Sequence, residues 1–429
     1  MSIFFNQILA AINAGTVASG TVDRGTITGT TVEVTSNIAW TWFGRPNSVY
    51  SASANKYWVG TTKDIDNQTF TTQHVTEFDI LSETYTDYRV GTVGQKDDHN
   101  QTQIIIRQSD NRLIAFYVEH NGSLLRWKIS TNPLDASSWG AEKNYNPVSS
   151  YSYITPYQRA DGVIFMFFRS RPTSQSTWYY AKSIDGGETF GTLTELYSAG
   201  ATHNYLISHQ DGNKIHFTAS NGHPQSNSDI NINTYHFYFD ISTETAHLSG
   251  GATITLPLDN TKLTLVNATT GSDTSWIIDI ITKNGNPRVL FAFYPSGRST
   301  SLIIKELWFA EWNGLDWVNK QKISEVLNGY IEQDGTPTEL GYTGASRFDV
   351  SNPDIIWMPK EVNGVLEIHK VNMATNPITI EQITFNSTKT NWRPISVPTQ
   401  KNNLLWLRNE SYEGYQQYNI TLLSKTVSV

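Results

Sequence analysis

His99, His120 and His223, with Tyr153, Tyr205, Arg169 and Arg171, are the residues of this 429-residue chain whose types suit proton transfer beside a bound anion. An imidazole takes or gives a proton near neutral pH, a phenol does so when its surroundings shift it, and a guanidinium stays charged and can hold an oxyanion with two parallel hydrogen bonds. None of them sits in a contiguous catalytic motif. Their contexts are Asp97-Asp98-His99-Asn100, F-Y-V-E-H ending at His120, Y-S-Y-I-T-P around Tyr153, F-F-R-S-R-P with Arg169 and Arg171, and I-H-F-T-A-S-N-G-H-P with His223. Each has an ordinary alternative. His99 can cap a strand, a tyrosine among 21 can simply pack, and Arg169 can pair with Asp185 or Glu188. His209 and His216, inside strands, are assigned to packing. Only a fold that brings these segments to one place makes them a site.

Composition narrows that fold. With 12% aromatic and 16% charged residues, and a wealth of Thr, Ser, Asn and Gly, the chain is neither disordered nor a long-helix protein. Those residue types favour strands and turns. Because there is no cysteine, disulfide frameworks and thiolate metal sites are excluded. A formal net charge of −8 argues against general nucleic-acid or anionic-membrane binding, so an acidic polymer would have to meet a local cluster of Arg and His. No apolar run is long enough to span a bilayer.

The elements repeat. Seven pairs of apolar strands follow one another: KYWVGTT with QTFTTQHV, RLIAFYVEH with LLRWKIS, VIFMFFR with WYYAKS, KIHFTAS with NTYHFYF, RVLFAFY with KELWFAEW, DIIWMP with LEIHKV, and LLWLR with QQYNITLL. Their second strands recur every 50 to 70 residues or so, about the length of one propeller blade. A further strand and a tight turn, such as Asp-Gly-Asn or Asn-Gly, precede several pairs. Candidate outer strands are ETYTDYRV, TFGTLTEL and ITIEQITF, and the segment from Thr26 to Thr35 is expected to supply the one missing from the last blade. The chain therefore reads as all-β, a seven-bladed β-propeller of four-stranded antiparallel blades over residues 21–429. Residues 1–20 form an appendage, without the basic start of a secretory signal, suited to a docking helix. Ser183-Ile184-Asp185-Gly186-Gly187-Glu188-Thr189-Phe190 reads as an aspartate box in the third blade. In a propeller, starts of first strands and ends of second strands share a face. That face gathers Asn100, His99 and His120 from blade two, Tyr153, Arg169 and Arg171 from blade three, and Tyr205 and His223 from blade four.

The order of W-T-W-F-G-R-P, D-D-H-N, F-Y-V-E-H, Y-S-Y-I-T-P, F-F-R-S-R-P, the aspartate box and I-H-F-T-A-S-N-G-H-P resembles the BNR-repeat polysaccharide lyases of the ulvan-lyase type. Y-T-G-A-S-R-F-D near Tyr342, N-W-R-P at Arg393 and Y-E-G-Y-Q-Q-Y near Tyr415 extend the likeness to most of the chain. The resemblance implies β-elimination at a uronic acid, with Tyr153 as catalytic tyrosine, Arg169 neutralising the carboxylate, and His99 and His120 as paired histidines. It also implies substrate contacts from Tyr205 and His223, to which Arg171, Asn100 and Arg45 are added here. Such chemistry requires neutralised carboxylate charge, a base for the C5 proton and an acid for the leaving oxygen. Tyr153 is expected to do both with its pKa lowered by neighbouring cations; His99 or His120 as base is the alternative. No cofactor is required, although the D-D-H-N turn offers donors to a structural divalent cation without a metal-motif spacing.

Two other classes fit the same fold. A sialidase or other glycoside hydrolase would draw on Arg45, Arg347, Arg393 and Arg408 as an arginine cluster, and a non-catalytic carbohydrate-binding propeller, such as a phage tail protein, would use its aromatics for stacking. The expected partner is an acidic polysaccharide met outside the cell, by a secreted or virion-associated protein.

Overall fold

The computed structural model describes residues 24–26, 31–41, 43–45, 48–64, 70–200, 203–223, 232–270, 273–295, 305–326, 345–397 and 403–427. The appendage expected at residues 1–20 lies outside them. Alternating apolar residues fold as successive hairpins, and seven antiparallel sheets form the blades of a ring. Blade two shows the plan, with Gln103–Ile106 innermost, then Arg112–Val118, Leu125–Pro133 and Lys143–Tyr145 outermost. Blade three repeats it with Tyr151–Gln158, Ile164–Ser170, Thr177–Ser183 and Thr194–Tyr197. The inner strands of blades four to seven are Tyr205–Asp211, Thr274–Lys283, Arg347–Phe348 and Asn391–Ser396. Blade one starts with Ile38–Ala39 and Ser48–Ser51, both paired to Lys56–Asp64.

Turn chemistry sets the hairpin registers. Asn284 and Gly285, with φ of 52° and 79°, join strands that pair from Lys283 opposite Asn286, and Asn363 and Gly364, at 54° and 85°, do the same between Val362 and Val365. Two consecutive residues with positive φ make the turn whose twist matches a hairpin, and Asn-Gly adopts it most readily. The aspartate box is fastened as its residue types require: Ser183 Oγ donates to Asp185 Oδ1 at 2.7 Å, Thr189 N donates to the same oxygen at 3.0 Å, and Gly187 N donates to Ser183 Oγ at 2.7 Å. Phe190 packs edge-on against Trp127 of blade two, whose indole N–H donates to Gly187 O at 2.7 Å. The box thus binds neighbouring blades together.

Ring closure uses the segment expected to provide it. Val32–Ser36 pairs antiparallel with Gln417–Thr426, so blade seven takes its outermost strand from the beginning of the fold and its other three from the end. Arg24–Thr26 adds to the edge of blade one. Eight tryptophans, Trp40, Trp58, Trp127, Trp178, Trp276, Trp357, Trp392 and Trp406, are fully buried in and between blades. Three inner strands carry irregular registers, at Ser152/Thr155, Ile277/Asp279 and Trp392/Ile395. Such bulges re-aim side chains, and two of them hold a non-glycine residue in the left-handed region, Tyr153 at φ 56° and Arg393 at φ 47°.

Val34 is buried in the core within the closing strand. Val34→Asp places an unpartnered carboxylate there and should lower unfolding free energy by roughly 3–5 kcal/mol in denaturant titration. Val32→Asp, at a half-buried position, should cost far less; equal, small losses from both would mean that this strand does not hold the ring shut.

Candidate active site

At the face where inner strands begin, the turn before blade two is built around two adjacent buried carboxylates. Asp97 accepts from the His99 backbone N at 2.9 Å and from His99 Nδ1 at 2.7 Å through Oδ1, and from His120 Nδ1 at 2.9 Å through Oδ2. One carboxylate thereby orients both imidazoles, which stack with centroids 4.3 Å apart and planes 9° from parallel. Asp98 Oδ1 lies 2.6 Å from His99 Nδ1, while its Oδ2 accepts from Arg393 Nη2 at 2.9 Å and Tyr412 OH at 3.1 Å. Arg393 is itself tied to blade one, its guanidinium donating to Trp40 O while Trp40 Nε1 donates to Arg393 O at 3.1 Å.

These neighbours separate the two histidines in charge. Burial disfavours a charged His99, but Asp98 and Asp97 outweigh it and hold the imidazole well above its ordinary range, as an imidazolium. For His120, burial and the adjacent positive His99 dominate the pull of Asp97, so its pKa falls below 6.5 and the ring is neutral at pH 7. With Nδ1–H donated to Asp97, Nε2 carries the lone pair. Burial would also raise both carboxylates, yet the histidines around Asp97, and Arg393 with His99 around Asp98, keep them low and ionised.

Tyr153 and Arg169 stand next to this pair. The Tyr153 ring centroid is 5.7 Å from that of His99 and 6.2 Å from that of His120. Arg169 comes from the second strand of the same blade and lies over the Tyr153 and Tyr205 rings, its guanidinium carbon 4.4 and 5.1 Å from their centroids. It is only 2% exposed, and its Nε and Nη1 meet no acceptor among the described residues. Neither Asp185 nor Glu188 pairs with it; Glu188 pairs with Arg107 and Lys143. One expectation is reversed: the Tyr153 phenol sits well above 10, because burial, Tyr205 and the two carboxylates outweigh Arg169. In the resting site it is a protonated acid.

The remaining candidates divide. Tyr205 and His223 join the cluster, with ring centroids 5.5 Å apart, and Trp276 packs edge-on against both. Asn100 is fully buried, its amide donating to Gln95 O at 2.8 Å and its oxygen accepting from His120 N at 2.8 Å. It therefore positions His120 rather than facing substrate. Arg171 is half-buried at the rim, and its Nη2 reaches Ser174 O at 3.5 Å rather than the cluster. Arg45 is not part of the cluster either; it pairs with Asp279 within the ring. No arginine triad assembles from the others: Arg393 is committed to Asp98, Arg408 to Glu33 and Glu410, and Arg347 lines the channel. Sequence reasoning missed Tyr412 and the structural duty of Arg393. It quoted Tyr415 only as a likeness, whereas the ring stands edge-on to both stacked histidines at 5.4 and 5.8 Å. Asp97, His99 and His120 also place donor atoms within 4.8 Å of one another, the arrangement a cation could use, but both Nδ1 atoms are occupied by Asp97.

Asp98→Asn removes the foremost charge that keeps His99 protonated. Its NMR titration should move to lower pH than in the unmodified protein, and an unchanged midpoint would assign that control to Asp97 alone. Arg393→Met should cost about 3–5 kcal/mol in denaturant titration, since it leaves Asp98 buried without its cation.

Comparison with known proteins places this geometry in context. Residues 38–323 match a model of the BNR repeat-containing family. An ulvan lyase of Pseudoalteromonas sp. (strain PLSV) is 26% identical over 113 residues, 23% of this chain and 22% of that protein. An ulvan lyase of Alteromonas sp. (strain LOR) is 26% identical over 113 residues, 23% of each. The matched segment thus spans less than a quarter of the length of these curated relatives. In structure, the chain superposes on a polysaccharide lyase, an ulvan lyase bound to -[GlcA(1-4)Rha3S]-, with TM-score 0.66 and 15% identity over 90% of this chain and 92% of the other. A second solved polysaccharide lyase gives 0.58 and 13% over 89% of each. These likenesses show the fold. Since the family model covers more than half of the chain, from blade one through blade five, the protein belongs to the BNR repeat-containing family.

Proposed function

We propose that this protein is a polysaccharide lyase that cleaves a uronic-acid-containing polymer by β-elimination. The observation that carries the reading is the buried Arg169, with two N–H groups that meet no acceptor among the described residues, lying over Tyr153 beside a stacked pair of oppositely tuned histidines. The names of the relatives as ulvan lyases support it.

The residues suit the steps as follows. A uronate carboxylate binds Arg169, which neutralises its charge and lowers the barrier to enediolate formation at C5. Neutral His120 takes the C5 proton through Nε2. The electron pair forms the C4–C5 double bond as the C4–O4 bond breaks, and the Tyr153 hydroxyl gives its proton to O4. The transient phenolate lies under Arg169, and proton exchange with water returns both groups to their starting forms. The His99 imidazolium keeps His120 neutral and adds positive potential. Tyr205 and His223 border the space beside Tyr153 and are placed to contact the neighbouring sugar. Every step uses side chains of this chain. An acidic polysaccharide is met outside the cell, which is where the protein would act, whether secreted or carried on a virion.

Incubation with uronate-containing polysaccharides, ulvan among them, should raise the ultraviolet absorbance of a double bond conjugated to a carboxylate. Reducing ends released without that absorbance would indicate a hydrolase, and binding without either a lectin-like propeller. Tyr153→Phe should lower kcat by about 10²–10⁴-fold with the fold intact; retained turnover would remove Tyr153 from the mechanism. Because His120 must be neutral and its pKa is depressed, kcat/KM should rise with pH along an acidic limb centred below 6.5. Placement of that limb above 6.5 would contradict a His120 base held below its ordinary range by burial and His99.

A further inference from the structure

Blade seven carries a hairpin that outruns its own inner strand. Asn403–Gly414, 12 residues long, turns back into Gln417–Thr426, whereas the inner strand Asn391–Ser396 has six residues. The hairpin register breaks twice near its end, at Asn409/Ser411 and Tyr412/Gly414, and such breaks bend a strand. Gly414, whose φ of 145° favours glycine, pairs with Gln417 and leaves Tyr415 and Gln416 as the turn. Three tyrosines occupy this end of the hairpin. Tyr412 and Tyr418 pair across the strands and are buried, at 2% and 4% exposure, while Tyr415 at the tip is 37% exposed.

The tip is fastened beside the chemistry. Asp98 N donates to Tyr415 O at 2.8 Å and Tyr412 OH donates to Asp98 Oδ2 at 3.1 Å, so two bonds tie the hairpin to the turn that carries Asp97 and His99. The Tyr415 ring is nearly perpendicular to both imidazoles, at 88° to His99 and 81° to His120, with centroids 5.4 and 5.8 Å away. These similar distances put it alongside the stacked pair, since a ring on the end of the stack would be much nearer to one imidazole than to the other. Around the propeller the order is Tyr415 from blade seven, the histidines at blade two, Tyr153 from blade three, and Tyr205 with His223 from blade four. The Tyr153 and Tyr205 centroids are 5.9 Å apart. Tyr415 therefore stands at one end of this arc and the Tyr205–His223 pair at the other. A polymer whose uronate lies on Arg169 and whose one neighbouring sugar meets Tyr205 and His223 carries its other neighbour toward Tyr415. A phenol ring offers that sugar an apolar face for its C–H groups and a polar tip for its hydroxyls.

We propose that Tyr415 is the stacking platform for the sugar unit next to the uronate on the blade-seven side, and that it selects polymer over an isolated uronate by binding this second unit. The assignment of the central unit as a uronate rests on the lyase reading; the platform itself is a binding function that can be measured without turnover. The backbone bond from Asp98 N holds the turn in place whatever the side chain at position 415, so replacement of the ring tests the ring alone.

Two measurements on the full chain test it, both with ulvan as the probe. In affinity electrophoresis through ulvan-containing gels, the slow Tyr153→Phe variant should be retarded, and adding Tyr415→Ala should weaken the retardation by about fivefold in apparent Kd, the scale of one aromatic stacking contact. In steady-state kinetics, Tyr415→Ala alone should raise KM by a similar factor, with the loss falling on KM rather than on kcat, and Tyr415→Phe, which keeps the ring, should restore KM. The proposal is overturned if ulvan retards neither protein, or if Tyr415→Ala leaves both Kd and KM as they were. It is equally overturned if Tyr415→Ala lowers kcat at unchanged KM or displaces the acidic limb of kcat/KM, because the ring would then serve the histidines and not the sugar. Retardation that depends on Tyr415, without double-bond absorbance from the unmodified protein, would keep the platform and remove the lyase reading.

Discussion

The buried ion pair between Asp98 and Arg393 is the constraint on which the candidate site depends. It joins the turn that precedes blade two to the inner strand of blade seven at 2.9 Å, with Trp40 of blade one gripping the same arginine. An ion pair removed from water is costly unless its geometry and hydrogen bonds are satisfied. Here Tyr412 and His99 supply the remaining contacts to Asp98. Because this turn is fixed, Asp97 can hold two imidazoles at once, and because Asp98 adds its charge beside His99, one is charged and the other neutral. The functional asymmetry of two chemically identical side chains thus follows from where two adjacent aspartates point.

Much of this was legible in the sequence, for reasons that can be named. Asn-Gly turns, strands of alternating apolar residues and an aspartate box are local signals, and each is interpretable without knowledge of the rest of the chain. The propeller rule then carries strand ends to one face, which is why His99, His120, Tyr153, Arg169, Tyr205 and His223 were found together. What local signals could not show were pairings across the ring. Arg393 and Asp98 are 295 residues apart, and N-W-R-P looks the same whether its arginine meets substrate or a buried carboxylate. Tyr412 reaches Asp98, and Tyr415 the histidines, from blade seven for the same reason. Asn100 and Arg45 were placed on the substrate side by their neighbours in sequence, whereas Asn100 is consumed by backbone groups and Arg45 turns into the channel. The protonation of Tyr153 also depended on burial, which a sequence does not state.

Backbone geometry contributes as much as residue type. Tyr153 and Arg393 occupy bulges with positive φ in inner strands of blades three and seven. Held this way at some conformational cost, the side chains leave the alternation of an ordinary strand and point where the ring needs them. An acidic protein can then present concentrated positive potential at the rim, through His99 and Arg169.

The strand exchange that closes blade seven has a temporal consequence. Val32–Ser36 leaves the ribosome before blades one to six, and its partner Gln417–Thr426 only after them. During synthesis the early strand is therefore an unsatisfied sheet edge, and blades two to six must form while the ring is still open. Arg393 is translated in the same late interval, so Asp98 lacks its counter-charge until then. Assembly of the chemistry and completion of the fold coincide, and a chain interrupted before blade seven would carry every residue of the His99–Tyr153–Arg169 cluster without the framework that tunes it.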